Sequence, residues 1–152
     1  LTLAIAWSLD IEMKWLGKKS LFKGVMGPFA RALGGIPVDR ENPQGLVDAL
    51  VDQMRSGASF GLVIAPDGTR NGNTHWKSGF YRIARDSGLD VALGYIDRPT
   101  MTAGLGPTIT LTGDVAADMD VIRAFYADKH GYHPAQRVEP RLRDESSDVR
   151  DR

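Results

Sequence analysis

The chain has 152 residues, with 19 basic and 19 acidic side chains and a formal net charge of zero. That balance argues against binding nucleic acid by bulk electrostatics. Cysteine is absent, which excludes disulfides, thiolate nucleophiles and cysteine-ligated zinc. No apolar run approaches the roughly 20 residues needed to span a bilayer.

Taken in chain order, residues 1–12 predict a largely buried helix already under way, with no capping residue before it. The apolar start lacks a basic leader and a small-residue cleavage site, so it does not read as a signal peptide. Residues 13–18 predict a short strand. Residues 20–33 are amphipathic and helical in part, interrupted by Gly24, Gly27 and Pro28. Residues 35–39 predict a strand. Pro43 suits the first turn of the next helix, where Leu46, Val47, Leu50, Val51 and Met54 recur at helical spacing until Ser56 and Gly57.

An apolar run over 60–65 predicts the next strand, followed by a polar turn. A helix over 77–86 ends near Gly88. Residues 91–96 predict a strand, and the glycines and Pro107 within 101–111 predict a hairpin of two extended pieces. Asp114 caps a last helix running from Val115 to about Lys129, with Met119, Ile122, Phe125 and Tyr126 on its apolar side. Residues 134–152 are polar, with five acidic and five basic side chains from Arg137 onward, and predict a disordered tail. The alternation of strands and helices predicts an α/β fold: a single domain whose mixed, mostly parallel sheet is flanked by helices.

The richest stretch is Pro66-Asp67-Gly68-Thr69-Arg70. A buried strand that ends in such a turn carries charged groups to a sheet edge, where ligands bind in open α/β folds. Gly68 permits a backbone that turns neighbouring N–H groups toward an anion. Arg70 offers a planar fork matching phosphate oxygens, and Asp67 can hold Arg70 or orient a substrate. The plain alternative is an ordinary Asp-Gly turn. Arg40, at the end of the 35–39 strand, is a second phosphate contact or a surface ion pair with Asp39. Lys77 in Trp76-Lys77-Ser78-Gly79 adds charge at a helix start, where free N–H groups favour anions, or is simply solvated.

Lys14, Lys18, Lys19 and Lys23 are interleaved with Trp15, Leu16, Leu21 and Phe22. Residues 1–40 hold six basic and three acidic side chains. This stretch is either a surface for anionic headgroups or a core-facing stripe with a solvated basic side. His75 is a candidate base by its nearness to the polar turn, or an exposed loop histidine. His130 and His133 have no metal-ligand partners nearby in sequence and take no role.

Together these blocks resemble the glycerolphosphate and lysophosphatidic acid acyltransferases. Gly35-Ile36-Pro37-Val38-Asp39-Arg40 is similar to that family's strand ending in arginine. Ala65-Pro66-Asp67-Gly68-Thr69-Arg70 is similar to its Pro-Glu-Gly-Thr-Arg turn, with aspartate in place of glutamate. Trp76-Lys77-Ser78-Gly79 is similar to its Phe-Lys-x-Gly helix start. The order and rough spacing also agree, over roughly residues 1–130.

The resemblance implies an acyltransferase domain over 1–133 followed by the polar tail at 134–152. It implies a glycerolphosphate-acyltransferase-like fold and transfer of a fatty acyl group from acyl-CoA or acyl carrier protein to a 1-acyl-glycerol-3-phosphate-type hydroxyl. Arg40, Gly68, Thr69, Arg70 and Lys77 would bind the acceptor's phosphate, with Asp67 in support. The thioester is a co-substrate, and neither a cofactor nor a metal is expected. The expected setting is cytoplasmic, peripheral at the inner membrane face, with a phosphorylated lipid acceptor and no nucleic acid.

The family's His-x-x-x-x-Asp block is missing: five positions after His75, His130 and His133 stand Phe80, Ala135 and Val138. The expectation is that this block lies upstream, so that the chain is truncated at its N-terminus and its catalytic residues are unknown. The competing readings are a non-catalytic protein that keeps the anion pocket, and an acyltransferase with a different alcohol as acceptor.

Overall fold

The structure is a computed structural model, and it describes residues 13–38, 43–56, 61–67, 74–131, 135 and 137–146. The expected N-terminal helix lies outside them. The chain divides into two compact units, Leu1–Ile64 and Ala65–Arg152.

In the first unit, β1 (Met13–Lys18) lies between β2 (Gly35–Val38) and β3 (Gly61–Val63), and both pairings are parallel. Parallel neighbours require crossovers. A 3-10 turn (Lys19–Phe22) and α1 (Met26–Ala32) make the first, and α2 (Pro43–Arg55) makes the second. Val47, Leu50 and Val51 are the buried stripe of α2, at the spacing the sequence shows. Pro28 falls in the first turn of α1, where its missing N–H has no intrahelical duty.

Phe22 anchors this unit. Three glycines, one each from β1, α1 and β2, leave room for it. A Cβ at Gly17 would come 3.0 Å from the Phe22 ring, one at Gly27 2.2 Å from the Phe22 carbonyl oxygen, and one at Gly35 2.7 Å from the ring. Trp15 packs on Phe22 with ring centroids 5.7 Å apart and donates its indole N–H to the Leu33 carbonyl at 3.0 Å.

The second unit holds α3 (Gly79–Ser87), β4 (Val91–Asp97), β5 (Thr102–Ile109) and α4 (Val115–Tyr126). Gly88 closes α3 in the left-handed conformation, φ 69°, as the sequence predicts. Asp114 caps α4 by accepting from the Ala117 N–H at 3.1 Å. Met119 and Ile122 of α4 are fully buried, with Phe80, Tyr81, Ile83 and Leu93 completing the core. The described strands are thus a parallel three-stranded sheet and an antiparallel pair, an α/β fold with parallel pairing in the larger sheet.

Two expectations need correction. Residues 101–111 do not form a hairpin of their own. They supply the single strand β5, which pairs antiparallel with β4. Ala92 faces Thr108 and Gly94 faces Leu105, so β5 carries one extra residue there. Gly106 and Pro107 therefore mark a β-bulge, where proline's missing donor is tolerated.

The described part of the polar C-terminal stretch, 137–146, is also ordered and packed. Leu142 is 1 % exposed. Arg123 of α4 donates to the Pro140 carbonyl at 2.9 Å and pairs with Glu145 at 2.7 Å. Opposite charges along that stretch are used in fixed bonds, a possibility that composition alone does not register.

Candidate functional site

The chain leaves β3 and turns at Pro66 and Asp67. The Pro66 carbonyl accepts from the Lys77 backbone N–H at 2.8 Å. This bond brings two of the sequence-predicted residues, Asp67 and Lys77, onto adjoining stretches of backbone in the second unit. The next N–H back along the chain, that of Trp76, donates to the Arg141 carbonyl at 2.8 Å. The junction is thus tied on one side to the polar turn and on the other to the C-terminal segment.

Trp76 wedges the junction against the core. Its ring meets Phe80 edge-on at 6.0 Å and Tyr126 at 5.7 Å. Tyr126 in turn donates its hydroxyl to the Gly94 carbonyl at 2.7 Å, so β4 and α4 support the same aromatic cluster. Lys77 is exposed. Ser78, at the N-cap of α3, makes no side-chain cap, leaving the helix's first N–H groups without that partner.

Two buried polar atoms lie at this junction with no hydrogen-bond partner among the described residues: Oδ1 of Asp67 and the indole nitrogen of Trp76. Leaving such a group unpaired costs roughly 1–3 kcal/mol. One is an acceptor and the other a donor, the two kinds of partner that a hydroxyl uses. His75 stands beside them half-buried, its Nδ1 2.8 Å from the Thr74 hydroxyl.

Arg40, Gly68, Thr69 and Arg70 lie outside the described residues, as does His133. His130 contributes backbone: its N–H donates to Asp97 at 2.8 Å and its carbonyl accepts from the Arg98 N–H at 2.7 Å. Among the described residues no three His, Cys, Asp or Glu side chains come together as metal ligands, and no helix is long and apolar enough to cross a membrane.

Sequence reasoning did not anticipate the open indole nitrogen of Trp76 or the role of the C-terminal segment. Leu142, an isolated apolar residue in a charged stretch, was the available signal for the latter.

A second polar cluster sits deeper in the unit. Asp118 accepts from the Tyr81 hydroxyl at 2.7 Å, from the Thr112 N–H at 3.0 Å and from the Gly113 N–H at 3.2 Å. Burial opposes its charge, but these donors outweigh it and hold the carboxyl below the usual range. Burial and the same carboxylate push the Tyr81 hydroxyl well above its ordinary value. Every bond here is satisfied within the protein, so the cluster is structural: it fastens the end of β5 to α4.

No curated protein and no solved structure gives a match to the chain. A family model described as Acyltransferase matches residues 1–103. That span takes in both arginine-bearing motifs, the Asp67–Lys77 junction and all of α3, and with 103 of 152 residues matched the chain belongs to the acyltransferase family.

Proposed function

We propose that the protein transfers a fatty acyl group from a thioester, acyl-CoA or acyl carrier protein, to the free hydroxyl of a 1-acyl-glycerol-3-phosphate-type acceptor. In this reading the acceptor oxygen attacks the thioester carbonyl, an ester bond forms, the carbon–sulfur bond breaks and the thiol leaves. A general base takes the hydroxyl proton and returns it to the leaving sulfur. Arg40, Arg70 and Lys77 hold the acceptor's phosphate, with the Gly68 and Thr69 backbone beside them. Asp67 orients the acceptor. No cofactor takes part. The reaction runs at the cytoplasmic face of a membrane, because acceptor and product both carry acyl chains.

The observation that carries the reading is the Asp67–Lys77 junction: one backbone hydrogen bond joins the stretch carrying a carboxylate oxygen without a partner among the described residues to the stretch carrying an exposed lysine and the uncapped start of α3. The N-terminus and the ammonium favour an anion, and the open oxygen accepts from a hydroxyl. A phosphorylated alcohol combines the two.

The sequence has no His-x-x-x-x-Asp, so this reading assigns the general base to a segment preceding residue 1. General-base catalysis contributes roughly a hundred- to ten-thousand-fold. The test is acyl transfer from acyl-CoA and from acyl carrier protein by this chain and by a version extended upstream. The extended protein is expected to be at least about a hundredfold faster. Equal rates refute the upstream base. Binding of the phosphorylated acceptor with no transfer by either protein supports the second reading, a binding protein without catalysis, which the missing His-x-x-x-x-Asp favours.

A further inference from the structure

The 3-10 turn and α1 leave a row of large apolar side chains uncovered. Leu21, Val25, Met26, Phe29 and Leu33 are 52, 95, 63, 59 and 43 % exposed. Met26, Phe29 and Leu33 recur at three and four residues along α1 and its C-cap, and Leu21 and Val25 stand exposed just before it, while Phe22 and Gly27 are buried. Of the aromatic residues interleaved with the lysines, Phe22 thus turns inward and Trp15 packs on it, so the outward row is a different set of side chains.

Charge is equally one-sided. Between residues 13 and 38 there are five basic residues, Lys14, Lys18, Lys19, Lys23 and Arg31, and no acidic one. Lys19 and Lys23 are exposed next to the apolar row, and Arg31, also exposed, holds its guanidinium carbon 6.0 Å from the centroid of the inward-turned Phe22 ring. Apolar side chains flanked by lysine and arginine are the pattern of a helix lying in a bilayer interface: the apolar row enters the acyl boundary and the cations stay among anionic headgroups. A second copy of the chain fits poorly, since a self-contact would face these cations with their own kind.

We propose that the surface formed by Leu21, Val25, Met26, Phe29 and Leu33 docks the protein onto an anionic phospholipid bilayer. The proposal rests on the membrane setting of the acyl-transfer reading and names the face that meets the lipid.

The test is co-sedimentation of the full-length protein with phosphatidylglycerol–phosphatidylcholine vesicles and with phosphatidylcholine vesicles alone. Wild-type protein is expected to prefer the anionic vesicles. The preference should fade between about 0.1 M and about 1 M salt, as the Debye length falls from about 10 Å to about 3 Å. Val25→Glu with Phe29→Glu should weaken binding at least about tenfold, and Lys23→Gln with Arg31→Gln about fivefold per charge removed. All four residues are exposed, so far-UV circular dichroism and thermal melting should match the wild type.

The rate on a soluble, short-chain phosphorylated acceptor should be unchanged by Val25→Glu with Phe29→Glu. Tight wild-type binding that survives both pairs of substitutions overturns this surface and leaves the membrane setting standing. Absence of wild-type binding to any vesicle overturns both. A concentration-dependent dimer abolished by Val25→Glu with Phe29→Glu, without vesicle binding, assigns the face to self-association and overturns the proposal. Failure of the short-chain assay in wild-type protein counts against the acyl-transfer reading alone.

Discussion

Lys77 donates its backbone N–H to the Pro66 carbonyl at 2.8 Å, and next to Pro66 the Asp67 carboxylate keeps one buried oxygen without a partner among the described residues. A folded chain retains a cost of roughly 1–3 kcal/mol at such an atom only where something else offsets it. If the offset is a bound acceptor, stability and activity should respond oppositely to its removal. Asp67→Ala in ligand-free protein should leave the melting temperature unchanged or higher, while acyl transfer by the full-length protein falls at least about tenfold, the loss of one charged hydrogen bond. Thermal melting and initial rates check this together. A large drop in melting temperature would make Asp67 a structural residue.

The three glycines around Phe22 should resist even the smallest enlargement. Gly35→Ala would set a Cβ 2.6 Å from the Ala30 carbonyl oxygen and 2.7 Å from the Phe22 ring. Overpacking of this kind costs about 1–3 kcal/mol. Combining Gly35→Ala with Phe22→Leu should cost less than the two changes summed, because the second makes room for the first. Denaturant titration of the four proteins measures that coupling.

Asp118 should make the second unit sensitive to acid. Its folded carboxyl titrates below the unfolded value of about 3.9, so it contributes stability above that value and loses it as pH falls through the lower, folded one. Asp118→Ala leaves Tyr81, Thr112 and Gly113 without their acceptor and should destabilise by about 2–4 kcal/mol near neutral pH. The gap between variant and wild type should narrow below about pH 4, where the carboxyl takes up its proton in the unfolded chain before it does so in the folded one. Melting curves at a series of pH values give the comparison.

The C-terminal segment should behave as part of the core. Leu142→Ala should cost about 2–5 kcal/mol, as for other fully buried leucines. It should also loosen the start of α3, because Arg141 next to it accepts from the Trp76 N–H. Hydrogen exchange at Trp76 and Lys77 reads that second effect. Exchange unchanged from wild type would mean that the segment supports stability without holding the site.

Much of this architecture was legible in the residues. Val47, Leu50 and Val51 announce α2, Gly88 its neighbour's end and Asp114 the start of α4, because periodicity, a left-handed cap and a side-chain cap are local causes. Gly106 and Pro107 misled, since a bulge within a strand uses the same residues as a turn between strands. The ordered C-terminal segment was hidden for a different reason: Glu145 finds its partner, Arg123, on α4, far away in sequence. At the site, the polar turn and the helix start were visible as motifs. The bond joining them was not, because backbone pairing across a loop leaves no trace in residue type. Gly27 reads as a helix breaker, whereas the structure uses it for close packing against Phe22.

Selection of the acceptor by its phosphate is the role proposed for Arg40, Arg70 and Lys77. The direct measurement is kcat and KM of the full-length protein for a 1-acyl-glycerol-3-phosphate and for the same lipid without phosphate, in wild type and in Arg40→Ala, Arg70→Ala and Lys77→Ala. Each substitution should raise KM for the phosphorylated acceptor by about 10- to 100-fold, the value of a charged hydrogen bond, and leave the unphosphorylated lipid and the thioester donor nearly unaffected. Equal use of both lipids by the wild type, with no change in acceptor KM on loss of either arginine, would contradict it.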